Sequence, residues 1–226
     1  MPDEAVPSSV RVWDLPTRVF HWLLAATVLG SIGTAWAGAM GWHFRCGLMA
    51  LSLLVFRLLW GFVGGRWSRF TSFVYAPGTL LRYLRSDVKP GEPLDVGHTP
   101  TGALSVFAML LILLLQVATG LVADDEIANI GPLNRFVTSA TAASATSWHK
   151  SVGQYVILLL LVLHIGAIVW YRMKKRVDLI GPMLGGDKPL PAGTPPSADG
   201  MAQRALALVL LLVCFGAAGW VWSLGG

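Results

Sequence analysis

Charged side chains are scarce in this sequence: only 13% of its 226 residues are Asp, Glu, Lys or Arg, whereas 54% are hydrophobic. Soluble globular domains carry about a quarter charged residues. So few polar groups cannot cover the surface of a soluble domain, and the apolar residues lie in long blocks. The composition therefore predicts an integral membrane protein. In that setting the net charge of +5 indicates basic cytoplasmic loops, and a nucleic-acid partner is not expected.

Cysteine is equally rare, with two residues in the chain. Cys46 and Cys214 fall in different predicted helices, so we expect no disulfide, and a cysteine-based metal site would need more ligands. The sequence has no C-x-x-C-H motif, the attachment site of a covalent c-type haem. Residues 1–14 are polar and include Asp3 and Glu4, which does not match a cleavable signal peptide. The first apolar block is therefore expected to stay in the protein as a helix.

Five apolar blocks are each long enough, at about 20 residues, to cross the hydrocarbon core of a bilayer. They are predicted over residues 19–39, 44–63, 102–123, 152–171 and 205–222. The predicted fold class is all-α: a four-helix transmembrane bundle in residues 1–185 and an accessory C-terminal transmembrane helix in residues 205–226. Residues 186–204 between them are rich in Pro and Gly, and this composition predicts a flexible cytoplasmic linker.

Lysine and arginine are distributed unevenly between the two sides of these spans. The less basic side of the predicted spans has only Arg45, Arg135 and Lys150. The basic side comprises Arg11 and Arg18, then Arg66, Arg69, Arg82, Arg85 and Lys89, then Arg172, Lys174, Lys175, Arg176, Lys188 and Arg204. Because basic loops stay in the cytoplasm, we expect a multi-pass protein of the bacterial inner membrane with a cytoplasmic N-terminus.

Four of the five histidines form two pairs at matching depths. His43 and His149 begin the second and fourth spans on the outer side. His164 lies 15 residues after His149, about 22 Å deeper and within about 60° of the same helix face. This depth matches His21, which enters the first span from the inner side. A haem held between facing helices by two imidazoles needs this arrangement, so two haems are expected.

Glycines accompany both outer histidines. Gly47 follows His43 by four residues and Gly153 follows His149 by four, so each glycine shares the face of its histidine. A glycine there removes bulk where a flat macrocycle approaches the backbone. Both glycines are therefore predicted to contact the cofactor.

Three arginines are candidates for contacts with haem propionates. Arg57 lies inside the second span, 14 residues after His43, and an arginine within a span usually has a partner because burying its charge is costly. The alternative is that Arg57 extends to the inner interface. Arg18 and Arg45 are weaker candidates, since most interfacial arginines meet lipid phosphates.

Other polar features have simpler interpretations. His98, in a cytoplasmic loop, is predicted to be a turn or cap residue, with a role in quinone or proton handling as the alternative. Residues 124–147 form either a solvated loop or part of a docking face for an external partner. If the four intramembrane histidines bound no haem, they would hydrogen-bond between helices. A metal transporter would more often have Asp or Glu within the spans, where this sequence has none.

The order of several segments resembles that of bacterial cytochrome b(561)-type proteins, a group that includes the membrane cytochrome b subunits of nickel-iron hydrogenases. The resemblance covers about residues 10–185. It rests on Arg11-Val12-Trp13-Asp14-Leu15-Pro16-Thr17-Arg18 with Phe20-His21-Trp22, on Phe56-Arg57-Leu58-Leu59-Trp60-Gly61-Phe62, on Gly97-His98-Thr99-Pro100 with Gly102, and on the fourth span with its two histidines.

This resemblance implies a four-helix core that binds two haem b groups, each with two histidine axial ligands. By position these ligands would be His21, His43, His149 and His164. It also implies electron transfer between a quinone pool and a redox partner, such as a c-type cytochrome, a hydrogenase or a dehydrogenase. The alternatives are a stand-alone membrane oxidoreductase acting on ferric ion, superoxide or quinol, and a non-haem membrane anchor or transporter.

Overall fold

The computed structural model describes residues 8–88 and 92–225, so Lys89 of the basic loop and the polar residues 1–7 lie outside the described residues. The described chain is mostly helical. Its helices are α1 (Leu15–Trp36), α2 (Met40–Val63), α3 (Pro77–Leu84), α4 (Pro100–Val122), α5 (Ser139–Ser147), α6 (Gln154–Trp170), α7 (Ile180–Gly185) and α8 (Met201–Ser223). Short 3-10 turns occupy Arg66–Ser68, Phe70–Ser72 and Asn134–Phe136, and π-helical turns occupy Trp148–Gly153 and Tyr171–Lys175.

The five predicted apolar helices are present among the described residues. Five helical stretches are long and apolar enough to cross a bilayer: Leu15–Trp36, Met40–Val63, Pro100–Val122, Ser139–Lys175 and Met201–Ser223. The fourth is longer than predicted because α5, both π turns and α6 join into one helical stretch of 37 residues. Its start is rich in Ser, Ala and Thr, so the apolar pattern did not reveal it. Thr138 caps that start by accepting a hydrogen bond from the Thr141 amide.

The chain divides into two compact units. The first comprises residues 8–19, 58–88, 92–107 and 165–207, and the second comprises residues 20–57, 108–164 and 208–225. The first unit contains a two-stranded β ribbon, which the all-α prediction did not include. Strands β1 (Ser8–Arg11) and β2 (Asp187–Leu190) pair antiparallel, with Ser8 opposite Leu190 and Arg11 opposite Asp187. This ribbon covers a core cluster formed by Val10, Val12, Trp13, Trp67, Val96 and Leu190.

The Pro- and Gly-rich segment in residues 186–204 is more ordered than its composition predicts. Beyond β2, the buried Ser197 donates a hydrogen bond to the Val12 carbonyl and accepts one from the Trp67 amide, at 2.7 and 3.2 Å. Asp199 accepts hydrogen bonds from Arg11 and from the Leu15 amide. Specific polar contacts therefore tie this segment to β1 and to the start of α1, and a composition argument cannot detect such contacts.

A buried carboxylate organises the start of α1. Asp14 is fully buried and precedes the first residue of α1, where a carboxylate caps exposed amides. It accepts hydrogen bonds from four donors: the Thr17 amide at 2.8 Å, the Gly65 amide at 3.0 Å, the Ser68 hydroxyl at 2.7 Å and the Trp60 indole at 3.2 Å. One side chain therefore fastens α1 to the end of α2 and to the turn that follows it.

The second unit contains an ordered loop between α4 and α5. Asp125 accepts hydrogen bonds from the amides of residues 127–129 and from the Asn129 side chain. The hydrogen bonds from Asn129 are the main reason that the pKa of the Asp125 carboxyl lies well below its ordinary value. Asp125 is therefore anionic at neutral pH.

Candidate functional site

The structure brings the four intramembrane histidines together in two pairs within the second unit. His43, on α2, faces His149, in the π turn before α6, with ring centres 5.9 Å apart and ring planes at 85°. His21, on α1, faces His164, on α6, with ring centres 6.3 Å apart and ring planes at 50°. Each pair joins two different helices, in the combination that the sequence predicted.

These separations fit two imidazoles on opposite faces of one iron. An imidazole nitrogen binds a metal at about 2 Å and the ring centre lies about 1 Å behind it, so two axial imidazoles have ring centres about 6 Å apart. Both observed separations lie close to this value. His43 and His149 also make the interhelical hydrogen bonds of the non-haem alternative, to carbonyl groups of α1 and α4.

Hydrogen bonds fix the tautomer of one pair. The Nδ1 atom of His43 lies 2.9 Å from the Ser31 carbonyl oxygen, and Nδ1 of His149 lies 2.8 Å from the Gln116 carbonyl oxygen. A carbonyl oxygen only accepts, so both Nδ1 atoms carry the proton and both Nε2 atoms keep a lone pair for a metal. In the other pair, Nδ1 of His21 is buried without a hydrogen-bond partner among the described residues.

A cavity of about 330 Å³ adjoins the His43–His149 pair. Its walls come from α1, α2, α4, α5, α6 and α8, from the loop after α4 and from the π turn, and they are mainly apolar, as expected for a site that holds a large cofactor. His43, Gly47 and His149 all line it, and so do Gln116, Asp125 and Lys150. Lys150 was counted only as a loop charge in the sequence, yet it is the cation that reaches this cavity.

The two predicted glycines have different surroundings. An added Cβ at Gly47 would meet nothing within 4 Å, so this position opens onto the cavity. An added Cβ at Gly153 would lie 1.9 Å from Oε1 of Gln116, so the neighbour of Gly153 is a side chain of α4. Gly120 was missed in the sequence, although an added Cβ there would lie 2.7 Å from Cε1 of His149. A glycine within an apolar span was the only signal for it.

The three candidate arginines also differ from one another. Arg57, on α2 in the second unit, is 3% exposed, which agrees with an arginine held inside the protein and not with one extended to the interface. Arg45 lies over the Trp42 ring at 4.7 Å and is exposed, and it is not among the residues that line the cavity. Arg18, in the first unit, donates a hydrogen bond to the Leu184 carbonyl.

His98 lies in the first unit, between two aromatic rings. Its ring centre is 4.7 Å from that of Trp13 and 4.5 Å from that of Phe73. The neighbouring Thr99 caps α4, because its hydroxyl accepts a hydrogen bond from the Gly102 amide at 3.2 Å. This environment agrees with the prediction that His98 is part of the turn before α4.

The spans and the paired imidazoles together define a class: a multi-pass membrane protein built to hold haem between helices. The family model of prokaryotic cytochrome b561 matches residues 12–186, and the chain belongs to this family. It is therefore a transmembrane b-type cytochrome of electron transport, and its cofactor is haem b.

Named relatives of this chain are hydrogenase cytochromes. A probable Ni/Fe-hydrogenase B-type cytochrome subunit of Bradyrhizobium diazoefficiens is 23% identical over 215 residues, which cover 80% of this chain and 86% of the relative. A probable Ni/Fe-hydrogenase 1 B-type cytochrome subunit of Escherichia coli is 25% identical over 190 residues, covering 68% and 80%. The corresponding protein of Rhizobium leguminosarum is 24% identical over 228 residues, covering 80% and 89%. No solved structure matches the chain significantly.

Proposed function

We propose that this cytochrome binds two b haems and passes electrons across the membrane from one to the other, linking a quinone pool to a redox partner protein. His43 and His149 are the axial ligands of one haem, and His21 and His164 those of the second. The observation that carries this proposal is the pair of ring-centre separations, 5.9 and 6.3 Å, which suit one iron each.

The haems supply one-electron redox chemistry, and the chain controls its type. Because two imidazoles would hold each haem, the cofactor would supply outer-sphere electron transfer in preference to oxygen chemistry. The carbonyl groups of Ser31 and Gln116 accept hydrogen bonds from Nδ1–H of His43 and His149. Nε2 of each ring would therefore be available to bind the haem iron. The 15 residues between His149 and His164 correspond to about 22 Å of helix. The two histidine pairs would therefore hold their haems at different depths of the bilayer.

Other residues complete the proposed cofactor sites. Gly47 leaves open space for a macrocycle at the His43–His149 site, and Gly153 acts there through its neighbour Gln116. The buried guanidinium of Arg57 offsets the charge of a haem propionate. Arg18 and Arg45 have the same role only at the edges of the protein, where lipid phosphates compete for them.

The proposed topology follows from the charge distribution. The N-terminus lies in the cytoplasm and the protein resides in the bacterial inner membrane. Residues 1–185 form the di-haem domain, with four of the five spans. Residues 186–204 form a cytoplasmic connection, and residues 205–226 contain most of α8 (Met201–Ser223), an accessory fifth span that supplies no ligand.

The partner that we propose is a nickel-iron hydrogenase. The three relatives named above are described as cytochrome subunits of such enzymes, and each covers more than two thirds of this chain. Electrons from the hydrogenase then reach quinone through the two haems. A c-type cytochrome or another dehydrogenase would dock to the same scaffold, and co-purification of the native complex distinguishes them.

Haem stoichiometry tests the ligand assignment. Reduced-minus-oxidised spectra with haem quantified per chain should give two six-coordinate b haems for the wild type. His43→Ala and His149→Ala should each lose one haem, and the double variant should lose no more than either single variant because both remove the same site. His164→Ala should lose the other haem. His98→Phe, which alters the remaining histidine, should keep both haems. A single haem in the wild type, or additive losses within one pair, would refute the pairing.

A further inference from the structure

Helix α4 contains no histidine, yet several of its residues contact the ring of His149. The Gln116 carbonyl accepts the Nδ1–H of His149 at 2.8 Å, and the Gln116 side chain donates from Nε2 to the His149 carbonyl at 2.9 Å. The Thr119 hydroxyl lies 3.5 Å from the same Nδ1. The backbone carbonyl of Gln116 therefore binds the ring of His149, and the side chain of Gln116 binds the backbone carbonyl of the same histidine.

Two glycines make this close approach possible, one on each side. Gly120 of α4 faces the His149 ring, where an added Cβ would lie 2.7 Å from Cε1. Gly153 of the π turn faces the Gln116 carboxamide, where an added Cβ would lie 1.9 Å from Oε1. Contacts below 3 Å do not occur between such atoms, so a methyl group at either position would push the polar side chain out of place. The arrangement is reciprocal: each helix has a polar side chain opposite a glycine of the other.

The π turn at Trp148–Gly153 sets the direction of the His149 ring. A π turn closes its hydrogen bonds one residue later than an α turn, so it absorbs about one extra residue. The 15-residue separation of His149 and His164 then acts as about 14 α-helical positions, which brings the two side chains within about 40° of one helix face. Isolated π turns occur frequently at functional sites.

From these contacts we infer that Gln116, Gly120 and Gly153 are positioning residues that lock the His149 ring and thereby set the redox potential of the haem it binds. This inference rests on the proposed function. A hydrogen bond from Nδ1–H to a carbonyl raises the basicity of an imidazole ligand. A more basic ligand favours the ferric state, so the lock lowers the midpoint potential of the His43–His149 haem. The buried His21 ring has no such partner among the described residues, so the second haem lacks this effect on that ligand.

The test uses two variants that weaken the lock in different ways. Gln116→Leu keeps the backbone carbonyl but removes the bond from Nε2 to the His149 carbonyl, so His149 is held less firmly and the bond from its Nδ1–H to the Gln116 carbonyl should lengthen. Gly120→Ala adds one methyl group against the ring. The matched controls are Gln203→Leu, which makes the same side-chain change on α8, a helix that contains no histidine, and Gly33→Ala on α1, where an added Cβ meets nothing within 4 Å. Each protein is purified with its haems, and each haem is followed by potentiometric titration and by the ferric low-spin electron paramagnetic resonance signal.

Both lock variants should raise the midpoint potential of one haem only. The expected change is at least threefold in its oxidised-to-reduced ratio at fixed potential, which is about 28 mV for a one-electron couple. The resonance signal of the same haem should shift, and both controls should match the wild type. Selective loss of one haem in Gly120→Ala would also support the lock. The change in midpoint potential would then be measured in Gln116→Leu.

Three results would overturn the inference: unchanged potentials and signals in both variants, a fall in potential, or equal changes in both haems. The proposed function is judged separately by the wild type. If the wild type holds no haem, the electron-transfer proposal itself fails, whereas a wild type with two haems and insensitive variants removes only the lock.

Discussion

At the scale of single residues, Asp14 determines how α1 begins. Its carboxylate is fully buried and accepts four hydrogen bonds, so its removal leaves buried donors unsatisfied. A lost cap costs about 1 kcal/mol, and each unsatisfied buried donor costs about 1–3 kcal/mol. We therefore expect Asp14→Ala to lower the free energy of unfolding by about 3 kcal/mol.

Thermal unfolding in detergent, followed by loss of the haem absorbance band, measures this effect. Asp87→Ala is the matched control, because Asp87 is exposed. If Asp14→Ala unfolded at the same temperature as the control, the network would contribute no net stability. A Thr17→Val variant should give a smaller loss, since it removes only the 2.7 Å hydrogen bond to Ser68.

Asp14 also marks where sequence reasoning stopped short at this scale. It lies within a segment that carries the resemblance to the cytochrome b561 family, but no sequence pattern predicted its hydrogen-bond partners. Trp60 and Ser68 are distant in the sequence, and only the fold brings their donors to one carboxylate. The histidine pairs were predictable because depth along a helix follows from residue count. Gly120 was not, because its role depends on a ring supplied by another helix.

At the scale of elements, the segment from β2 to Asp199 behaves as a strap and not as a loose linker. Its hydrogen bonds to β1, Val12 and Trp67 mean that it should be protected from exchange and proteolysis. Ser197→Ala would leave the buried Trp67 amide without its acceptor, at a cost of about 1–3 kcal/mol. We expect faster amide exchange in residues 187–199 of this variant.

Hydrogen exchange read by mass spectrometry checks this expectation. Thr194→Ala is the control in the same segment, because the Thr194 hydroxyl makes only an exposed local bond to the Pro191 carbonyl. Rapid exchange across residues 187–199 in the wild type would restore the flexible linker that the composition predicts. Equal exchange in the two variants would show that Ser197 does not hold the strap.

The elements also show why composition and periodicity predict spans better than their details. Apolar blocks of about 20 residues identify every span, since the bilayer imposes that length. A π turn has no compositional signature, so Trp148–Gly153 could not be foreseen, and the angle between His149 and His164 was calculated for a regular α-helix. The polar start of the fourth helical stretch, at Ser139, was missed because its Ser, Ala and Thr residues do not form an apolar block.

At the scale of the whole molecule, the proposed topology of five spans places the two termini on opposite sides of the membrane. The proposed orientation puts α3 in the cytoplasm and the α4–α5 loop outside, because the basic residues are concentrated in loops such as the one that contains α3. Two exposed positions report on these sides. Ile127 is 90% exposed at the tip of the α4–α5 loop, and an added Cβ at Gly78 of α3 meets nothing within 4 Å.

Single cysteines at these positions test the orientation in whole cells. In a Cys46→Ser, Cys214→Ser background, Ile127→Cys should react with a membrane-impermeant maleimide that has crossed only the outer membrane. Gly78→Cys should react only after the inner membrane is opened. Spectra should first establish that each variant keeps its haems, so that labelling reports on folded protein. The reverse labelling pattern would invert the topology. The His43–His149 haem would then face the cytoplasm.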